Sequence, residues 1–559
     1  MNLPSPHQDP SDLKQIDIVK IYSDKKCLII DDFPEIRGSL MRTLRTFGAQ
    51  TVDTAANGEE AVKACNKKRY DIVLCDYNLG AGKDGQQILE EVRFLRVLLM
   101  TSLFVMITGE SSREMVLGAL ECQPDDYITK PYTQASLKLR LNRAIVRHHI
   151  LLPAKKAISD GDYRTALDIC NDMIRSGSRY SADCLKMKGQ LHYLLKQLKE
   201  AQEVYTNVLS NKPLVWAKLG MSKTLMALEK FDAAEAMLQE VVAEDDRYIE
   251  AHDMLADVYE KRNQMALAQK STESATRISP KSVLRHRRMA KLAEVNHDDD
   301  AALKSHQQAI KWGLNSCHES PQDYFNYARK VSDVVKGDDS SESKALVKQA
   351  NNFLDRARKR YADNGEVNTQ ALLVETQLQL GIGDEAKAKK TAAKAKQAYN
   401  ALPAPDVETS LEMARTLHAC DEEAEARELL TRLALRHEKD PQVMSIIDSI
   451  TGEPISEAGK KVAAGLTKKG ISSYDGKDFE AAVEVFQQAL AAYPKHIGLN
   501  LNLIQVIISD TENRGYSEHY ERLIRHSLRS TSKVNPEHNQ YKRFMFLSRQ
   551  IKKYYPNVL

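Results

Sequence analysis

Three aspartates stand where two apolar runs break off. Asp31 and Asp32 close "KKCLIIDD", and Asp76 closes "YDIVLCD". A carboxylate at the end of such a run is carried to the rim of a buried strand, and neighbouring parallel strands would bring all three together. Clustered carboxylates repel one another, so the group favours a divalent cation, and hard oxygen donors with room for water suit magnesium. Two further run ends add to the set. "LFVMITG" places Thr108 at the end of a fourth run, and "DDYITKP" places Lys130 at the end of a fifth. A hydroxyl, an ammonium and a magnesium ion around one carboxylate would stabilise an acyl phosphate and the charge that develops as it forms.

The elements that must position these groups alternate along residues 25–149. "KKCLIID", "AQTVDTA", "YDIVLCD", "LFVMITG" and "DDYIT" read as strands. Between and after them, "PEIRGSLMRTLRTFG", "GEEAVKACNKKR", "GQQILEEVRFLRVLL", "SREMVLGALEC" and "TQASLKLRLNRAIVRHH" have helical spacing. Pro34 opens the first helix and Gly48 ends it, as start and stop signals require. Five strands alternating with five helices predict an α/β domain: a doubly wound parallel sheet with helices on both faces and active groups outside the carboxyl ends of the strands.

The ordered set "IIDDF", "LCDYN", "MITGE" and "DYITKPY" resembles the receiver domain of two-component response regulators. The resemblance implies a flavodoxin-like fold with Asp76 as phosphoacceptor. It implies Asp31, Asp32 and Asp76 as magnesium ligands, assisted by the backbone carbonyl of Asn78. Thr108 would be the switch hydroxyl, Lys130 the phosphate-pairing ammonium, and the peptide before Pro131 cis. Tyr127 matches the aromatic that turns inward on activation, and Asn78 and Glu110 match positions that modulate dephosphorylation. One departure stands out. Gly80 takes the place four residues after the phosphoacceptor where the family often has Pro, and the loop from there to "DG" reads one residue longer. Gly80 and Gly82 admit backbone angles closed to other residues, as a loop wrapped closely around a metal and a phosphate needs.

From about residue 150 the strand signals stop and a period takes over. Ala166, Ala201, Ala234, Ala268 and Ala302 recur in related frames, from "GDYRTALDIC" to "DDDAALKSHQ", at intervals of 33 to 35 residues. A helix pair of about 34 residues is the tetratricopeptide (TPR) period. The frame returns in "GKDFEAAVEVFQQALAAYP", while "GIGDEAKAKKTAAKAKQAY" and "CDEEAEARELLTRLALRH" read as divergent units. "VVKGDDSSESK", "LPAPD" and "TGEPISEAG" read as loops. The expected organisation is a leader over 1–24, a receiver over 25–149, TPR-like repeats over 150–314, divergent helical repeats over 315–458, and a last repeat with basic capping helices over 459–559. The region from 150 onward is expected to be an all-α superhelical solenoid.

Composition narrows the functions. The net charge is +3 over 559 residues, so no overall field points to nucleic acid. The eight cysteines form no C-x-x-C pair, which argues against a zinc site and a disulfide framework and for a reducing compartment. No apolar run long enough to span a membrane occurs, and a cytoplasmic protein is expected. Residues 511–559 carry ten Lys or Arg against four Glu, interleaved with aromatic residues. Capping of the helical array is the preferred reading of that segment, and RNA binding is the less favoured one. No helix-turn-helix pattern for DNA and no second catalytic frame is visible, so no enzyme activity is expected. Taken with the resemblance, the expectation is a response regulator phosphorylated on Asp76 by a sensor histidine kinase or phosphotransfer protein, with a protein partner docking in the repeat groove. A phosphate sink or adaptor without switching, and an RNA-binding regulator, remain alternatives.

Overall fold

The computed structural model describes residues 18–109, 124–336, 338, 340–531, 539–556 and 558. The helix expected over "SREMVLGALEC", and Glu110, lie outside them. The chain divides into two compact units, Met1–Asp323 and Tyr324–Leu559.

The first unit opens with α1 (Ile18–Ser23), β1 (Lys26–Ile30), α2 (Pro34–Thr46), β2 (Thr51–Ala55), α3 (Gly58–Lys67), β3 (Ile72–Asp76), α4 (Gly85–Phe94), β4 (Leu103–Thr108) and β5 (Asp126–Thr129). The five strands form one sheet in the order β2-β1-β3-β4-β5, and every pairing is parallel. Side chains alternate across a strand. Leu28, Ile30, Val73, Cys75, Phe104 and Met106 therefore pack one face against α3 and α4. Cys27, Ile29, Ile72, Leu74, Val105 and Ile107 pack the other against α2 and the first turns of the next helix. All of β3 and all of β4 are buried, as central strands covered on both faces must be.

That next helix, α5 (Gln134–Ser159), runs unbroken through the boundary expected at residue 149 and carries Pro153 inside it. It joins the α/β domain to a long all-helical region with no linker between them. The first unit continues with α6 (Tyr163–Arg175), α7 (Ser181–Leu194), α8 (Leu198–Asn211), α9 (Val215–Ala227), α10 (Phe231–Glu244), α11 (Ile249–Lys261), α12 (Met265–Ile278), α13 (Val283–Val295) and α14 (Asp299–Gly313). Helix α15 (Pro321–Val334) straddles the division between the units. The second unit holds α16 (Ser341–Arg360), α17 (Gly365–Gly381), α18 (Glu385–Ala401), α19 (Val407–Ala419), α20 (Glu423–Arg436) and α21 (Pro441–Thr451). It ends with α22 (Glu457–Asp475), α23 (Phe479–Ala492), α24 (Ile497–Arg514), α25 (Glu518–Thr531) and α26 (Tyr541–Tyr554). "LPAPD" joins α18 to α19, and "TGEPISEAG" holds the turn between α21 and α22. Ser341, inside the loop expected from "VVKGDDSSESK", instead starts α16, because Ser340 caps it by accepting from the Ser343 backbone N–H.

The period read in the sequence has a structural counterpart. Ala166, Ala201, Ala234, Ala268 and Ala302 each take the fourth place of a helix, and all five are 0% exposed. Two residues before each of those helices the backbone turns left-handed, at Gly161, Lys196, Glu229, Asn263 and His297, with φ between 58° and 79°. The same turn recurs in the second unit at Gly383, Asp421 and Lys477. Each closes the preceding helix with one hydrogen-bond pattern. At Glu229 its own N–H reaches the Met226 carbonyl and the Lys230 N–H reaches the Leu225 carbonyl. A side chain in this region costs about 1 kcal/mol that glycine does not. Glu229 is exposed, so Glu229→Gly removes that cost and no packing. It should stabilise the protein by about 0.5–1 kcal/mol in chemical denaturation. A loss of stability would contradict the left-handed turn.

Candidate functional site

The strand register assembles the acidic pocket. Ile30 stands opposite Cys75 in the β1–β3 pair, so Asp31, one residue past β1, meets Asp76, the last residue of β3. Asp31, Asp32 and Asp76 offer carboxylate oxygens that all lie within 4.8 Å of one another. Asp31 is 1% and Asp76 is 6% exposed. Lys130 follows β5 directly and extends its Nζ to Asp76 Oδ2 at 2.7 Å and Asp31 Oδ2 at 3.2 Å. The other Asp31 oxygen accepts from the Phe33 backbone N–H at 2.9 Å. Thr108, the last residue of β4, is fully buried, and its carbonyl accepts from the Lys130 backbone N–H at 2.6 Å. The Lys130–Pro131 peptide is cis. Tyr127 on β5 is half-buried against the α3–α4 side of the core, and Asn78 is exposed in the loop after β3.

That loop depends on its glycines. Gly80 has φ 73° and Gly82 has φ 100°. A Cβ on Gly80 would stand 3.8 Å from Asp32 Oδ2, so the loop folds back over the pocket. Gly85, the first residue of α4, has no such space. A Cβ there would stand 2.5 Å from the Asp76 carbonyl oxygen, so only glycine lets α4 start directly behind the phosphoacceptor candidate.

Among the described residues the pocket holds the carboxylates of Asp31, Asp32 and Asp76 and the ammonium of Lys130. Burial pushes the Asp76 carboxyl above the ordinary aspartate range, and Lys130, whose bond and charge pull it back, does not cancel that. Burial also pulls Lys130 down, but the bonds and charges of Asp76 and Asp31 outweigh it and the ammonium is held above its ordinary value. The Asp31 charge adds to both shifts, helping Asp76 and Lys130 each to keep a proton. Among the described residues, Asp32 Oδ1 is buried with no hydrogen-bond partner. The three aspartates therefore fit a hard divalent cation. Tyr132 also borders the site, its hydroxyl pushed up by burial, and its place beside the lysine was not read from sequence.

Comparison with known proteins agrees with this geometry. The family described as "Response regulator receiver domain" matches residues 27–142. The chemotaxis protein CheY-3 of Vibrio cholerae serotype O1 is 33% identical over 127 residues, which are 23% of this chain and 96% of that protein. The chain belongs to the response regulator receiver family. The alkaline phosphatase synthesis transcriptional regulatory protein PhoP of Bacillus subtilis is 29% identical over 137 residues, 24% of this chain and 55% of its own length. Among solved structures, a CheY-like receiver domain protein from Methanospirillum hungatei is 26% identical, covering 22% of this chain and 96% of that one, with a TM-score of 0.21. Receiver domains generally bind magnesium at their acidic pocket, and a receiver implies a histidine kinase or phosphotransfer protein as its partner.

The receiver meets the helical region a second time, away from α5, and no sequence signal announced it. Lys281, in the turn between α12 and α13, places Nζ 2.8 Å from Asp84 Oδ2 and 3.1 Å from the Tyr77 hydroxyl. It also lies 5.1 Å above the Tyr77 ring and 5.7 Å above that of Trp312. Tyr77 is the residue after Asp76, and Asp84 caps α4. Lys83 Nζ donates to the Asn315 carbonyl at 2.8 Å, and the His318 ring meets the edge of Phe94 at 5.6 Å. Thr108 and Tyr127, the switch residues that the resemblance implies, lie instead on β4 and β5, and the helix expected over "SREMVLGALEC" lies outside the described residues.

A pH test follows from the Asp76 shift. The folded-state pKa is raised, so this group favours folding below its unfolded value near 3.8 and loses that contribution as pH rises through the folded value. Asp76→Asn should raise the midpoint of thermal unfolding at neutral pH. The gain should shrink toward zero as pH falls to about 4. A gain independent of pH would place the cause outside the carboxylate.

Proposed function

We propose that this chain is a response regulator of a two-component phosphorelay, with Asp76 as phosphoryl acceptor and a TPR-type array as its output. The observation that carries the reading is the Asp76 carboxylate at the end of β3, paired with Lys130 at 2.7 Å beside Asp31 and Asp32. An Asp76 oxygen attacks the phosphorus of a phosphohistidine on a sensor kinase or phosphotransfer protein. The new O–P bond forms as the N–P bond breaks, and the imidazole leaves. Lys130 is placed to pair with the arriving phosphoryl oxygens, and Thr108 supplies a hydroxyl at the next strand end. Asp31, Asp32 and Asp76, with the Asn78 carbonyl, would hold magnesium, which when bound neutralises phosphoryl charge.

The array reading rests on the buried alanines and on the left-handed turn that recurs at the repeat period. Stacked helix pairs of this kind build extended concave surfaces, and a protein partner docking there is the output we favour over DNA or RNA. No turnover of a small substrate is assigned to the array, and a cytoplasmic location goes with this reading. The contact at Tyr77 and Asp84 offers a direct route from the acceptor to the helices, beside the Thr108 and Tyr127 route. A ligand shifts such a system only by contacts that differ between its states, and Lys281 touches the residue next to the acceptor.

Incubation with magnesium and a small acyl-phosphate donor should add one phosphate per chain, read by intact-mass spectrometry. Asp76→Asn should abolish the addition, and Asp32→Ala should reduce it together with magnesium affinity. Phosphate persisting at wild-type level in Asp76→Asn would overturn the assignment. Once the partner is in hand, its affinity should differ by roughly 5- to 150-fold between free and beryllofluoride-treated protein. Lys281→Ala should narrow that ratio, and an unchanged ratio would remove Lys281 from the route.

A further inference from the structure

Cys317 and His318 sit in the turn between α14 and α15, facing Glu90 on α4. The Cys317 thiol, a ring nitrogen of His318 and a Glu90 carboxylate oxygen all lie within 4.8 Å of one another. His318 Nε2 is 3.2 Å from Glu90 Oε1. The turn that carries the pair is fixed from several sides. The His318 carbonyl accepts from the Arg287 guanidinium at 2.6 Å, and its N–H donates to Ser316 Oγ at 3.2 Å. Arg287 is held in turn by Asp323 at 2.7 Å. The Phe94 and His318 rings meet at 5.6 Å with their planes inclined at 71°.

Packing does not account for the cysteine. Cys27, Cys65, Cys75, Cys170 and Cys184 are buried and fill cores, whereas Cys317 is half-buried at the seam between receiver and helices. An ion pair between His318 and Glu90 needs no thiol beside it. Thiol, imidazole and carboxylate together are a mixed sulfur, nitrogen and oxygen donor set. Magnesium and calcium prefer oxygen alone, whereas zinc accepts all three and takes four ligands in tetrahedral array.

We propose that Glu90, Cys317 and His318 bind one divalent transition-metal ion of the zinc class, which fastens α4 of the receiver to the helical region. Three protein ligands leave a fourth position for water or for a partner's side chain. Cys317 and Glu90 hold the His318 imidazole up to about 10, so binding requires both the thiol and the imidazolium to give up a proton to solvent. The protein then sorts metals by hardness. The all-oxygen pocket at Asp31, Asp32 and Asp76 takes magnesium, and the seam takes the softer ion. The seam site does not require phosphorylation of Asp76. An ion there would hold the receiver in the contact through which Lys281 touches Tyr77 and Asp84.

The test uses full-length, metal-stripped protein with magnesium in large excess, titrated with zinc in one series and cobalt(II) in another. The wild type should bind one ion per chain, and the cobalt form should show thiolate-to-metal charge-transfer absorption. Cys317→Ser should abolish that absorption, and Glu90→Gln should weaken affinity at least roughly tenfold. Cys420→Ser, which removes the other half-buried thiol among the described residues, should change neither readout. Retained phosphorylation of Asp76 in Cys317→Ser would show that this variant is folded. Absence of charge transfer in the wild type would overturn the proposal, and so would its persistence in Cys317→Ser.

Discussion

The structure turns on a charge imbalance in the acidic pocket. Among the described residues, Asp31, Asp32 and Asp76 meet one ammonium, that of Lys130, in a place where Asp31 and Asp76 are almost fully buried. Such a cluster is unfavourable unless something supplies positive charge. The strand order places β1 beside β3, and the buried apolar residues of those strands fix the register that puts their acidic ends together. Hydrophobic burial thus offsets the cost of holding charges that would otherwise separate. On the proposed reading, a phosphoryl group on Asp76 would change the charge where the ends of β1, β3 and β5 meet, and a local charge event of this kind can bias a two-state element.

Much of this was legible in the sequence because it is local. Each functional side chain lies at the end of its own apolar run, and the run ends could be read one at a time. Gly80 and Gly82 were read correctly as positions of unusual backbone, and both have positive φ. The helical period was legible through small residues at equal spacing, and Ala166 to Ala302 are all buried. The turn that accompanies the period was hidden. Glycine marks it at Gly161 and Gly383, but Lys196, Glu229, Asn263, His297, Asp421 and Lys477 occupy the same left-handed place elsewhere. A stop signal written in six residue types among eight positions leaves no composition to recognise.

Two features lay beyond local reading. The boundary expected at residue 149 rested on where the strand signals stop, yet α5 passes through it with Pro153 in its interior. A proline in a helix removes one donor and strains one turn, and tertiary packing on both sides can outweigh that. Here Ile145 anchors the receiver side of α5, while Leu151 and Ala154 are buried against the first helices beyond it. The second contact, at Lys281, joins residues 197 positions apart in the case of Asp84. A lysine in a helix–helix turn carries no mark of its partner, and only the path of the chain brings it to Tyr77.

The strength of that second contact decides what it can do. A receiver tied to the helices through α5 alone would transmit only a tilt of that helix. Contacts at Lys83, Lys281 and His318 close a loop through space, bonding α4 and the residues before it to the α12–α13 and α14–α15 turns. The contact must also be breakable. Exposed ion pairs contribute about 0–1 kcal/mol, and the Lys281 pair is partly buried but still reaches solvent, with its two side chains 18% and 22% exposed. A handful of such bonds is comparable to the roughly 1–3 kcal/mol by which coupled sites usually influence each other. A much stronger seam would lock the receiver whatever the state of Asp76, and a much weaker one would carry no information. Lys281 makes the balance specific, because it bonds at once to the residue beside the acceptor and to the cap of α4. Movement of either one loosens its hold on the other.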